Sequence, residues 1–250
     1  MVTNDETTDP IWDLDYFYEP QRTPEDTETE IEFLRETLDF DSETRFLDVA
    51  CGIGRHARAL SEEGCHVVAV DRSLKAVRHG SDVADRRRKR LRWVCADMRE
   101  LPFVASFDVA LCLFMSFGYY DDEDNERTFR SMVRSLVPGG KLVLETWNPL
   151  TLVMMNGAKN WWSSSEGIYL AQVEFDALNY VIRDMREVIA RTTGKSRTWV
   201  RSVRLYTPPE LVRIARASGA ELIESFGDYD FLPFEPTSPS LITIWRRADP

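Results

Sequence analysis

The chain is 250 residues long, 43% hydrophobic and 29% charged, with a formal charge of −11. That length can bury an ample core in one domain with additions, and the negative charge repels nucleic acid on average, which makes a nucleic-acid partner the unexpected one. No stretch approaches about 18 consecutive apolar residues and the acidic start lacks a signal peptide's basic and apolar regions, so a cytoplasmic protein with no membrane contact is expected.

The first 45 residues are the main source of the charge, with fifteen acids against three arginines. Residues 1–10 predict no packed structure. From Ile11 to Arg22 (IWDLDYFYEPQR) several aromatics crowd a short acidic stretch, and Thr27–Leu38 predicts an amphipathic helix with Ile31, Phe33, Leu34 and Leu38 on one face. The aromatics suit either a lid, in which Tyr16, Phe17 or Tyr18 closes over a ligand, or a hydrophobic staple that fastens the helix to a sheet.

The stretch Phe46–Ala57 (FLDVACGIGRHA) is an apolar strand that runs into an acid and then a glycine turn. Gly52 and Gly54 lack a Cβ, so the backbone can turn tightly and let a ligand lie against its amides. A helix expected over Arg55–Glu63 points its N-terminus at the same place, which favours a carboxylate or phosphate. Gly52, Gly54 and Ala57 also satisfy the dinucleotide fingerprint G-x-G-x-x-A, with Asp71 nineteen positions beyond Gly52 for ribose hydroxyls. A pyrophosphate on this turn would be repelled by Asp48. A zwitterionic amino acid would not, since its ammonium suits Asp48 and its carboxylate suits the amides. S-adenosylmethionine (SAM) has such an end, with ribose and adenine at the other.

The following elements fit that ligand. His66–Val70 reads as a buried strand ending in Asp71, beside Asp48 at the sheet edge, and Ser73–Arg88 as a helix capped by Ser73. Arg86-Arg87-Arg88-Lys89-Arg90 is either a phosphate patch or a cationic helix C-terminus. Leu91–Cys95 is a third strand opening onto Ala96-Asp97-Met98, where an acid can accept from an adenine amino group and a methionine can cover the ring. Phe107–Phe114 is apolar enough for the sheet centre, Asp124–Leu136 is a helix, Pro138-Gly139-Gly140 a turn, and Lys141–Trp147 a fifth strand. Cys51, Cys65, Cys95 and Cys112 lie on or beside predicted core strands without C-x-x-C spacing and are expected to be reduced and buried. His56, His66 and His79 show no ligand spacing, so no metal is expected.

Four motifs in this order, LDVACGIG, Asp71 after VVAV, CADM, and VPGGKLVLE, resemble those of class I SAM-dependent methyltransferases. The resemblance covers most of the chain and implies that Asp48, Ala50, Cys51, Gly52 and Gly54 surround the methionyl end. It further implies that Asp71, with Arg72 after it, holds the ribose, that Ala96, Asp97 and Met98 flank the adenine, and that Phe114 and Tyr18 reach the cofactor. The chain departs from the family pattern in having Cys51 before Gly52. The tail RLYTPPELVRIARASGAELIESFGDYD is similar to the small-molecule subset, which includes sugar-amine and glycine N-methyltransferases. The fourth strand is followed by MSFGYY and not by the N-P-P-Y tetrad of amide and base methylation.

Beyond Pro149, Tyr169–Phe175, Tyr180–Ile189 and Arg197–Tyr206 predict a three-stranded antiparallel meander. Thr207-Pro208-Pro209-Glu210 then opens a helix, and Glu221–Phe226 and Leu241–Trp245 supply two last strands. The expected fold is α/β, a seven-stranded, mostly parallel, doubly wound sheet with the meander inserted. The expected divisions are 1–40 (lid and helix), 41–150 (SAM-binding core), 151–206 (inserted sheet) and 207–250 (closing helix and strands). The expected activity is in-line methyl transfer from SAM to a nitrogen or oxygen of a small-molecule acceptor, by a monomer or homodimer; RNA methylation and nicotinamide-dependent oxidoreduction are the alternatives. Glu145, Tyr119 and Tyr206 are the candidate bases, although Glu145 would equally suit a backbone amide and the tyrosines a packed core. The meander, bringing Trp199 and Tyr206, is expected to roof the acceptor pocket or else to form a dimer interface.

Overall fold

The computed structural model describes residues 23–83, 90–164 and 167–249. The aromatic stretch with Tyr16, Phe17 and Tyr18, and Arg86 to Lys89 of the basic run, lie outside the described residues. Arg90 is described, and its guanidinium donates to the carbonyls of Ser42 and Gly64 at the N-terminal end of the sheet.

The main sheet has seven strands: β1 (Arg45–Val49), β2 (His66–Asp71), β3 (Leu91–Cys95), β4 (Phe107–Cys112), β5 (Leu136–Trp147), β10 (Ala220–Phe226) and β11 (Ser240–Arg247). Their order is β10-β11-β5-β4-β1-β2-β3, with β1 to β5 parallel and β11 antiparallel between β5 and β10. The apolar FDVALC run is thus the middle strand, as two buried faces require. Strand order reverses between β1 and β4, which leaves a crevice beyond their C-terminal ends.

Helices cover both faces. On one, α1 (Pro24–Leu38) and α2 (Arg55–Glu62) bury Phe33, Leu34, Ala57 and Leu60 against Phe46, Val67 and Leu111. On the other, α4 (Asp122–Ser135) and α6 (Pro208–Ala217) bury Phe129, Met132, Leu211 and Ile214 against Leu47, Leu142 and Trp245. Each such aliphatic or phenyl side chain contributes about 1.5–3 kcal/mol of transfer free energy. Thr23 caps α1 and Thr207 caps α6 in capping boxes, with Asp26 and Glu210 reaching back. The Ser73 hydroxyl accepts from Ala76 N at the start of α3 (Leu74–Val83), as its position after Asp71 predicts. The Pro138-Gly139-Gly140 turn lies inside β5, where pairing with β4 jumps from Phe107↔Leu136 to Val109↔Lys141 and Gly139 takes a φ of 75°.

The inserted sheet has four strands, not three. After α5 (Pro149–Val153), β6 (Lys159–Ser163) precedes β7 (Gly167–Asp176), β8 (Val181–Ala190) and β9 (Ser196–Arg204), all antiparallel. Strand β6 is five residues of mixed polarity, KNWWS, and gains its identity only by pairing with β7, so no alternation marks it. Leu152, Ile182, Val203 and Leu205 form a small core of their own that fixes this sheet to the main body beside Tyr119 and Trp147. Gly118 lies so close to β9 that a Cβ would meet the Arg204 carbonyl oxygen at 2.4 Å.

Candidate functional site

A cavity of about 540 Å³ opens at the C-terminal ends of β1, β2 and β4 and extends under the inserted sheet. Its floor comes from the glycine turn and from Asp71 and Arg72; Ala96 and Met98 follow from the end of β3, and Leu113 to Ser116 from the end of β4. Tyr119, Tyr120, Trp147, Trp162, Arg186 and Arg201 complete the far side. The structure therefore brings together Asp48, Ala50, Cys51, Gly52, Asp71, Arg72, Ala96, Met98, Phe114 and Tyr119 of the residues expected at a site.

Asp48, the penultimate residue of β1, is 2% exposed, and its Oδ2 is buried without a hydrogen-bond partner. Burial pushes its carboxyl up to about 6, against the opposing charges of His56 and Arg55 and a bond from Ala57 N–H. An orphaned carboxylate oxygen on a cavity floor costs stability unless a ligand donor reaches it. Asp71 is likewise buried, and burial raises its pKa although Gly52 N donates to Oδ2 and Ser73 N to Oδ1, both at 2.8 Å.

Three amides of the glycine turn are taken up within the protein. Cys51 N donates to the Val70 carbonyl, Gly52 N to Asp71 and Gly54 N to the Cys51 carbonyl, because the tight turn with Ala50 at φ 55° and Gly52 at φ 57° points them back into the protein. Gly54 does not line the cavity. A Cβ there would lie 2.1 Å from the Trp93 ring, and one on Gly80 2.3 Å from it, so the two glycines make the slot for that indole. The cationic partner for a ligand carboxylate is Arg55, which sequence reasoning missed. It lines the cavity 5.4 Å from the centre of the Phe114 ring, and its Nη2 is buried without a partner. Glu30 of α1 accepts from Arg55 and from His56 Nε2, the latter at 2.6 Å, while Thr27 accepts from Arg55 at 3.0 Å. Burial raises the Glu30 pKa, but those hydrogen bonds and charges outweigh it and hold it below the ordinary value. The available signal was an acid on the buried face of the amphipathic helix together with Arg55-His56 directly after the turn.

Besides Gly54, three expected site residues lie off the cavity. Asp97 caps the short 3₁₀ turn Met98–Glu100; burial raises its pKa, but hydrogen bonds from the Arg99 side chain and backbone, with the charge of Arg99, outweigh it and hold it below the ordinary value. Glu145 is 1% exposed and accepts from Phe114 N at 2.6 Å and from the Tyr229 hydroxyl at 2.7 Å. It holds Phe114 and Met115 at φ 56° and 55°, a left-handed pair that side chains disfavour. Tyr206 leaves β9 for the main core, packs on Phe117 and donates to Asp122 at 2.7 Å; burial, the first cause, raises its pKa strongly. Its phenol is therefore a packed donor. Trp199 is also off the cavity and 7% exposed, whereas Trp162, Arg186 and Arg201 of the inserted sheet line it. Cys95 is exposed because β3 is the edge strand, Cys51 is half-buried on the cavity wall, Cys65 and Cys112 are buried, and all four are free thiols. Among the described residues no group of three or more potential metal ligands occurs, and no helix is long and apolar enough to cross a membrane.

Residues 46–140 match the family described as "Methyltransferase domain". A dTDP-4-amino-2,3,4,6-tetradeoxy-D-glucose N,N-dimethyltransferase of Saccharopolyspora spinosa is 35% identical over 102 residues, 40% of this chain and 39% of that protein. The chain spans about two fifths of the length of the curated relatives it matches at such identity. Among solved structures, the CcbJ methyltransferase from Streptomyces caelestis superposes with a TM-score of 0.83 at 22% identity, covering 98% of this chain and 100% of that one. SAM-bound CalS10, an amino pentose methyltransferase from Micromonospora echinaspora, gives a TM-score of 0.69 at 19% identity, covering 95% and 97%. Residues 46–140 are thus similar to the methyltransferase domain family, and the whole chain shares the fold of these methyltransferase structures.

Proposed function

We propose that the protein is a SAM-dependent methyltransferase that acts on an amine of a small-molecule acceptor, an amino sugar being the class to which the names of its relatives point. The observation that carries this is the orphaned Asp48 Oδ2 on the cavity floor, with the orphaned Arg55 Nη2 beside the same cavity. An acid and a guanidinium fit the ammonium and carboxylate of a methionyl end, and the acid disfavours a pyrophosphate. Asp71 retains acceptor lone pairs for ribose hydroxyls, and Met98 and Ala96 offer an apolar wall to adenine. When bound, SAM supplies a methyl group already activated on a sulfonium.

The chain's task is then to align an acceptor and exclude water. An acceptor nitrogen aligned there would form the carbon–nitrogen bond as the methyl–sulfur bond breaks with its electron pair left on sulfur, and the ammonium product would give up its proton to bulk solvent on leaving the cavity. Tyr119 is the candidate base that lies on the cavity wall and is retained for the acceptor side. The sequence-based divisions at 41–150 and 207–250 around the inserted sheet, and a cytoplasmic setting suited to four free cysteines, belong to the same proposal. The test is turnover of the full chain with SAM and a panel of amino sugars, amino acids and phenols, followed by S-adenosylhomocysteine release and product mass. A product heavier by one methyl or two on nitrogen is expected. Methylation of phenols alone would overturn the amine assignment.

A further inference from the structure

Among the described residues, four buried polar atoms without a hydrogen-bond partner belong to side chains that line the cavity: Asp48 Oδ2, Arg55 Nη2, Trp162 Nε1 and the Tyr120 hydroxyl. The first two match the two ends of a methionyl group. Tyr120 stands elsewhere: the charged groups around its phenol are Asp97, Arg72 and Arg99, which follow β3 and β2, and its ring packs on the core cluster that holds Met98, as Ala96 does. Asp97, the acid expected at an adenine amino group, is already occupied. Arg99 Nε donates to both its oxygens at 3.1 Å, Arg99 Nη2 to Oδ2 at 2.7 Å and the Arg99 N–H to Oδ1 at 2.9 Å. A purine lying against Ala96 and Met98 therefore meets the Tyr120 phenol in place of a free carboxylate.

That phenol is held as a donor. Tyr120 N donates to Asn125 Oδ1 at 3.3 Å and the Tyr120 carbonyl accepts from Asn125 Nδ2 at 2.7 Å, with Asn125 fully buried in α4. The Arg99 guanidinium lies over the ring, 4.4 Å from its centre, and is itself fixed by Asp97 and Asp124, so one face of the ring is pinned. Burial, the largest cause, and the Asp97 charge raise the Tyr120 pKa against Arg72 and Arg99, so the hydroxyl keeps its proton. Arg72, beside the phenol, carries donors only and can serve the oxygen but not the proton.

We propose that Tyr120 is a specificity-determining residue for the nucleobase of the cofactor, its O–H donating to a ring nitrogen of the adenine. This inference rests on the SAM reading and adds the side chain that reads the base. The unfilled donor asks for an unprotonated ring nitrogen, which adenine offers at N1, N3 and N7, while Asp71 serves the ribose hydroxyls and Ala96 and Met98 the ring face.

The experiment is calorimetric titration of the full chain and of Tyr120→Phe with S-adenosylhomocysteine and its 1-deaza, 3-deaza and 7-deaza analogues, each of which replaces one ring nitrogen by C–H. Both proteins are also melted without ligand. Tyr120→Phe keeps the ring and is expected to weaken S-adenosylhomocysteine roughly fivefold to tenfold. One deaza analogue is expected to lose the same factor on the parent and to bind the variant as S-adenosylhomocysteine does. Without ligand the variant is expected to melt no lower than the parent, since the hydroxyl it gives up has no partner to lose. The proposal is overturned if the variant binds S-adenosylhomocysteine like the parent, or if every deaza loss persists in the variant. It is equally overturned if the unliganded variant melts lower, because the hydroxyl is then already bonded inside the protein. If the variant does not fold, the parent decides: one analogue losing that factor supports the proposal, and all three binding like S-adenosylhomocysteine overturns it. Failure of S-adenosylhomocysteine itself to bind the parent would instead remove the SAM reading beneath it.

Discussion

Asp48 is costly to the fold, and that cost is informative. Its carboxyl is raised by burial from 3.8 to about 6, so between those values the folded chain holds a proton that the unfolded chain has lost. Above about 6 the group opposes folding in full, and the penalty shrinks as pH falls from about 6 and is gone below 3.8. Asp48→Asn is therefore expected to raise the ligand-free stability at pH 7.5 by on the order of 2–3 kcal/mol, the size of a two-unit shift, and the gain is expected to shrink toward pH 4. The same variant should lose most of its SAM affinity. Denaturant melts of the two proteins at several pH values, with SAM titrated separately, check both halves; an apo variant less stable than the parent at pH 7.5 contradicts the assignment. Sequence alone put Asp48 and Asp71 at the crevice whose cavity both line, because an acid at the end of an apolar strand in this topology has only that crevice to face. It could not place Gly54, whose reason for being glycine is Trp93, thirty-nine positions later. Nor could it find Arg55 as a ligand partner, since that depended on Glu30 and Thr27 reaching across from another helix.

Among the elements, the loop Leu113–Ser116 after β4 is the one whose conformation is forced. Phe114 and Met115 both sit in left-handed backbone, and the Glu145 carboxylate of β5 anchors the Phe114 N–H while itself held by Tyr229. Burial keeps the Tyr229 phenol well above its ordinary pKa, so it remains a donor. Glu145→Ala leaves two buried donors without an acceptor and is expected to lose about 2–5 kcal/mol and to weaken SAM through the released loop. Glu145→Gln keeps an amide oxygen and is expected to lose markedly less. Equal stability of the alanine variant and the parent, measured in the same melts, would show that this anchor does not hold the loop. Parallel strands and capped helices were readable because their apolar runs and Ser73, Thr207 and glycine punctuation are local. Strand β6 was not, because KNWWS is a strand only by virtue of its neighbour. Tyr206 was misassigned for a related reason: the polypeptide turns from the inserted sheet into the main core between Arg204 and Tyr206, and that change of direction leaves no periodic mark.

At the scale of the molecule, a parallel sheet whose order reverses between β1 and β4 creates the crevice, α1 closes its floor through Glu30, and the inserted sheet closes its far side. Sequence patterning predicted this arrangement of core and insertion, while the polar chemistry of the far wall emerged only once strands 159–204 were paired. A ligand that binds only the folded state raises the melting temperature by mass action, so occupancy and stability can be read on one sample. The most direct test of the whole account is calorimetric titration of the full chain with S-adenosylhomocysteine as a function of pH. Binding in the micromolar range near pH 7.5, weakening as pH falls through about 6 where Asp48 takes up its proton, is the predicted result. No heat and no thermal shift at any pH, with NADH binding in its place, would contradict it.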